Sequence, residues 1–187
     1  NGCRFGHALA GIGDWEGDGD GVPDFLVGAP GDDVYPSTLR GRVYMISGAE
    51  VLAKIAIPLQ EVDATDVLVN DQLQPGVLPG VVQGGTGDRM GYAVAHIGEA
   101  GGTAHGSDFA VGAPEFNDPT GGYLGSTDNS SHPGAGYVRV FLGQGVPAVQ
   151  LSGTQSKQRF GFSLAGRANV DGDAAGLDEV IVGSPFW

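Results

Sequence analysis

Cysteine is nearly missing from this chain. Cys3 is the only one, which excludes a disulfide within the chain and any cysteine-based zinc site. It reads either as a small tolerated residue or as a bridge to another chain. Lysine is almost as scarce, with two against seven arginines, and 22 acidic residues leave a formal charge of -13. Such a field repels phosphate backbones and anionic lipid, so no nucleic acid is expected as a partner. Long apolar runs are also lacking. No stretch approaches the roughly 18 apolar residues of a membrane span, and the first residues lack the charged and apolar regions of a signal peptide. No direct membrane insertion is expected, and the chain reads as one that has lost a leader or as an internal piece.

What is present describes a folded protein, with 41% apolar and 17% charged residues. Glycine stands out at 35 residues, joined by 11 prolines, without the three-residue period of a collagen helix. These glycines punctuate short runs such as Phe25-Leu26-Val27, Val43-Tyr44-Met45-Ile46 and Val180-Ile181-Val182, which predicts many short strands joined by tight turns. The expected fold is all-β.

One pattern occurs three times. The first copy runs Arg4-Phe5-Gly6, Gly13-Asp14, an acidic loop to Asp24, Phe25-Leu26-Val27-Gly28-Ala29-Pro30, then a strand from Gly41 to Ile46. The second runs Arg89-Met90-Gly91, Gly98-Glu99, a loop to Asp108, Phe109-Ala110-Val111-Gly112-Ala113-Pro114, then Gly136 to Leu142. The third has Arg159-Phe160-Gly161, Asn169, a loop to Glu179 and Val180-Ile181-Val182-Gly183-Ser184-Pro185. The glycines at 28, 112 and 183 lie 84 and 71 residues apart, a period long enough for a four-stranded sheet with its loops. A sheet with two apolar faces must stack against neighbours, so each copy predicts one blade.

At these residues the chain resembles the FG-GAP repeats of integrin α-subunit β-propellers and their bacterial relatives, with Met90 in place of Phe and Ser184 in place of Ala. The resemblance implies four-stranded antiparallel blades. Blade one spans 1–85 with an insertion at 51–83 in which no copy of the pattern is recognised. Blade two spans 86–157, and an incomplete blade three spans 158–187, about two and a half blades in all. It further implies calcium in some hairpin loops.

The acid spacing points to the same ion. Packed carboxylates repel one another unless a cation neutralises them, and calcium takes six to eight oxygens, which carboxylates at alternate loop positions with intervening glycines supply. In loop 14–24, counting from Glu16 places Glu16, Asp18, Asp20 and Asp24 at positions 1, 3, 5 and 9, with the Val22 carbonyl at 7. Counting from Phe5, as the family pattern does, makes Asp14 the first ligand. In loop 169–179, Asn169, Asp171 and Asp173 occupy positions 1, 3 and 5, Ala175 offers a carbonyl at 7, and the last ligand is Asp178 if one residue is inserted or Glu179 if the distance to Gly183 is kept, with Asp178 the preferred of the two. Two Ca2+ sites are expected. The second loop, from Glu99 to Asp108, has acids only at its ends and makes a poor cage. An EF-hand is disfavoured because neither acidic loop has a glutamate at position 12 or flanking amphipathic helices. The competing reading is that Asp and Gly simply make good turns.

No catalytic constellation emerges. His7, His96, His105 and His132 are scattered, Ser163 lacks the second glycine of a nucleophile elbow, and the clustered carboxylates suit calcium better than glycoside hydrolysis. Trp15 and Trp187 are candidate binding platforms or blade-packing residues. Segment 117–134 reads as a long exposed loop, with a glycosylation-type triplet at Asn129-Ser130-Ser131. The expected function is a non-catalytic, calcium-binding module outside the cell, for adhesion, for a protein or glycan ligand, or for surface assembly by self-association through open blade edges. The alternative is an accessory propeller domain of a secreted hydrolase or polysaccharide-active enzyme.

Overall fold

The computed structural model describes residues 3–14, 20–31, 41–55, 81–83, 87–98, 108–114, 134–142, 146–168, 170, 172 and 178–186. Among them, every sheet is antiparallel and begins with a hairpin. In the first, β1 (Ala8–Gly13), β2 (Asp24–Ala29), β3 (Arg42–Ile46) and β4 (Val81–Gln83) lie side by side in chain order. In the second, β5 (Ala93–Gly98), β6 (Asp108–Ala113), β7 (Tyr137–Leu142) and β8 (Val146–Ser152) repeat that order, and the third pairs β9 (Ser163–Ala168) with β10 (Glu179–Gly183). The hairpins share one register: Gly28 faces Ala8, Gly112 faces Ala93 and Gly183 faces Ser163. Each also carries an irregularity near the loop end, between Gly11 and Gly13, between His96 and Gly98, and between Glu179 and Ile181. Such bulges re-aim the chain entering a loop.

The sheets stack through their first strands, β5 on β1 and β9 on β5, an arrangement consistent with part of a β-propeller. Strand β6 is buried along its whole length. Its Phe109, Val111 and Ala113 join Ile12, Leu26, Val43 and Met45 in one core cluster, while Ala110 turns the other way to join Ile97, Val138, Leu164 and Val182. A strand covered on both faces has no polar side, which is why Phe109-Ala110-Val111 shows no alternation. Fully burying a side chain such as Val111 contributes about 1.5–3 kcal/mol.

The turns before β1, β5 and β9 explain one glycine in each repeat and a second in the first two. Gly6, Gly91 and Gly161 have φ of 85, 83 and 86°. The amides of His7 and Phe162 donate to the carbonyls of Arg4 and Arg159 at 3.1 and 3.2 Å. This is the type II turn, whose third residue needs positive φ. The second and third turns sit directly on the preceding sheet: a Cβ at Gly28 would overlap the Gly91 carbonyl oxygen, and one at Gly112 the Gly161 carbonyl oxygen. Just after the turns, His7, Tyr92 and Phe162 form an aromatic row, with ring centroids 4.5 and 4.9 Å apart.

One element departs from the all-β expectation. The start of segment 51–83, in which no pattern was recognised, belongs to helix α1 (Gly48–Ile55), and its end is β4, the fourth strand of sheet one. Ser47 caps the helix, its Oγ accepting the Glu50 amide at 3.3 Å and its carbonyl the Val51 amide at 3.1 Å. Ser47-Gly48-Ala49-Glu50 has the Ser-x-x-Glu spacing of a capping box ahead of apolar Val51 and Leu52. Val51, like Phe25 and Tyr44, packs against the buried pair Val27 and Ile46.

Candidate metal centre

Loop 14–24 joins β1 to β2, and its described residues spend their carboxylates on backbone amides. Asp14, immediately after β1, accepts the Gly21 amide through Oδ2 at 3.0 Å, drawing the two sides of the loop together. Asp20 accepts the Val22 amide through Oδ1 at 2.7 Å, a local Asx turn. Asp24 opens β2 at 1% exposure, and its Oδ1 accepts the Gly48 amide at 3.0 Å. Glu16 and Asp18, with Trp15, lie outside the described residues. The described acids offer hard oxygens, the donor type calcium takes, and each is engaged by a backbone amide.

Loop 169–179 joins β9 to β10. Asn169, Asp171, Asp173 and Ala175 lie outside the described residues, but the two candidates for its last ligand are placed, and they point apart. Glu179 reaches across the loop, its Oε2 accepting the Val170 amide at 2.6 Å. Asp178 instead lies against Gly98 of the second sheet, where a Cβ on that glycine would meet its carboxylate. Register agrees, because Asp24, Asp108 and Glu179 pair with Gly13, Gly98 and Ala168 at the loop ends of their hairpins. Glu179 is therefore the counterpart of Asp24. Asp108 is as buried as Asp24, at 1% exposure, although it closes the loop that lacks central acids. An acid at the start of the second strand is thus a feature of all three hairpins, buried in the first two, whatever the loop before it holds.

Among the described residues, no three His, Cys, Asp or Glu side chains converge. His96, on β5, is half-buried. Burial lowers its pKa below 6.5, and the positive charge of Arg167 lowers it further, while Asp178 and Asp108 pull the other way. His7 stands in the aromatic row, and Ser163 begins β9 opposite Gly183. His105, His132, Trp187, the triplet Asn129-Ser130-Ser131, residues 99–107 of the second loop and the long segment as far as residue 133 lie outside the described residues. Cys3 is exposed. No described helix is long and apolar enough to cross a membrane.

No protein-family model matches the chain. Over 173 residues, 89% of its length, it is 32% identical to phosphatidylinositol-glycan-specific phospholipase D of Bos taurus and spans 17% of that protein. Over 184 residues, 90% of its length, it is 30% identical to integrin alpha-PS2 of Drosophila melanogaster and spans 11% of it.

Proposed function

We propose that this chain is a segment of an FG-GAP β-propeller that binds calcium in loops 14–24 and 169–179 and serves, without catalysis of its own, as an adhesion or ligand-binding module at the cell surface or outside the cell. The observation that carries the reading is the similarity to an integrin alpha subunit along 90% of the chain. The repeated sheets support it, since each Arg-Phe-Gly or Arg-Met-Gly turn after the first lies on the Gly-Ala-Pro glycine of the sheet before. In loop 14–24 the ion would be held by Asp14 or Glu16, by Asp18, Asp20 and Asp24, and by the Val22 carbonyl. In loop 169–179 it would be held by Asn169, Asp171, Asp173, the Ala175 carbonyl and, on the geometry above, Glu179 in preference to Asp178. Bound calcium would neutralise the mutual repulsion of these carboxylates. The protein's own part is to aim them, through the bulge before each loop and the amides that hold Asp14, Asp20 and Glu179. The partner is a protein or a glycan.

Calorimetric titration of chelator-stripped protein tests the calcium sites, with two ions per chain expected, and absence of binding refutes them. A protein and glycan array, probed with and without chelator, tests the ligand. A second reading is favoured by the similarity to a phospholipase D: the same propeller serves as an accessory domain of a secreted hydrolase. A hydrolytic activity of the full-length protein that survives substitution of the propeller's array-identified contacts, with no adhesion phenotype, would select it.

A further inference from the structure

We infer that helix α1 is a built-in cap on the stacking face of sheet one: it holds part of the place that sheet one itself takes on sheet two, and so competes for that face with the third sheet of a second copy of this chain.

Alternation along the strands defines the face. Leu26, Val43 and Met45 of sheet one lie in one core cluster with Phe109, Val111 and Phe141 of sheet two. Their strand neighbours Phe25, Val27, Tyr44 and Ile46 therefore point the other way. Register makes three of these the counterparts of residues that sheet one covers. Phe25 pairs with Ile46 as Phe109 pairs with Phe141, and Val27 pairs with Leu9 as Val111 pairs with Val94. On sheet two this face meets sheet one. On sheet one, Val51 of α1 packs there instead, against Val27 and Ile46, which are 3% and 2% exposed. The cover is partial, since Leu9 on the same face is 66% exposed and Phe25 is half-buried.

Two attachments hold the start of α1 in position. The Gly48 amide donates to buried Asp24 Oδ1 at 3.0 Å, and a Cβ at Gly48 would overlap the Pro23 carbonyl oxygen, so the helix begins hard against the end of β2. Ser47 caps its first turn. Eight residues are too few for a helix to persist in water unaided, so these contacts and Val51 decide whether it stays. The chain also carries a surface that matches the covered face. Val180 and Val182 of β10 pack toward sheet two, which turns Ile181 outward at 52% exposure. Ile181 pairs with Ala165 as Leu26 pairs with Ala10. The third sheet thus presents in the open the face by which sheet one packs onto sheet two. A contact between that face and sheet one of another copy is head-to-tail.

Sedimentation and hydrogen exchange of the full 187-residue chain, in chelator so that calcium plays no part, test the competition. Association is weakened in proportion to the fraction of chains whose face is covered. Val51→Asp sets a charge where α1 meets the sheet. It should speed exchange of amides 48–52 and tighten association about five-fold or more. Ser47→Ala, a milder change, should act in the same direction by about three-fold. In the unaltered protein, exchange at 48–52 should accelerate as the concentration rises, because association displaces the helix. Ile181→Lys should cancel the gain in either variant. Association that is unchanged or weaker once α1 is loosened, a monomer at every concentration, or a gain that Ile181→Lys leaves in place overturns the competition.

Discussion

At the scale of single residues, the carboxylates of loop 14–24 do two jobs that experiment can separate. Asp20 accepts the Val22 amide, so Asp20→Ala should cost about 0.5–1.5 kcal/mol even in chelator, as expected for one hydrogen bond. With calcium well above its dissociation constant the loss should grow by roughly 2 kcal/mol, because a ligand stabilises only the form that binds it. Thermal unfolding with and without chelator reads both, and equal losses would mean that Asp20 is a turn residue only. His96 supplies a pH dependence. Its folded pKa lies below 6.5 through burial and Arg167, despite Asp178 and Asp108, so the unfolded chain takes up the proton first. Its contribution is complete above pH 6.5 and is lost as pH falls through the folded value. Urea midpoints should drop between pH 7.5 and 5.5, and His96→Gln should flatten that slope. An unchanged slope would remove His96 from the account. Sequence showed which acids cluster, but it preferred Asp178 to Glu179 as the last acid of loop 169–179, whereas Glu179 reaches across the loop and Asp178 lies against the neighbouring sheet, because a one-residue difference in loop count says nothing about which side chain turns inward.

At the scale of elements, the contacts between sheets are backbone against backbone. Gly112→Ala should cost about 1–3 kcal/mol, since the added methyl meets the Gly161 carbonyl and neither strand can move alone. Gly11→Ala, with nothing within 4 Å of its Cβ position, should stay within about 0.5 kcal/mol. Denaturant unfolding of the two variants makes the comparison, and similar losses would show that glycine matters there only for chain entropy. The aromatic row adds a second tie between the sheets. Tyr92→Leu breaks its contacts with both His7 and Phe162 and should cost about 1–3 kcal/mol at two ring pairs of 0.5–1.5 each. The strands were legible because buried β-branched runs bounded by Gly and Pro have few other readings. Helix α1 was not read, although Ser47 and Glu50 spell its cap, because eight residues carry barely two turns of periodicity.

At the scale of the whole molecule, the two faces that do not meet another described sheet carry exposed apolar side chains. Leu9 is 66% exposed, whereas Val94, at the same register in the second sheet, is 8% exposed beneath sheet one. Ile181 is 52% exposed, whereas Leu26 and Ala110 at its position are buried. Faces that complement each other twice within the chain should do so between chains, and a head-to-tail contact of this kind builds rings or filaments. Sedimentation of the 187-residue chain should therefore show concentration-dependent oligomers that Leu9→Lys and Ile181→Lys disperse. A compact monomer at all concentrations, with a sharp melt, would contradict this.

Sequence by itself determined the repeat, the all-β class, the turn glycines and the acid content of each loop. These follow from local stereochemistry and from composition, which neighbouring residues settle among themselves. Tertiary structure alone decided that Gly28 and Gly112 are glycine because another sheet's carbonyl lies against them, that Asp24 holds the first amide of a helix, and that Asp178 lies against Gly98 of the neighbouring sheet. Each of these depends on residues brought together from distant parts of the chain, and no local pattern encodes a contact whose other half lies 24 to 80 positions away.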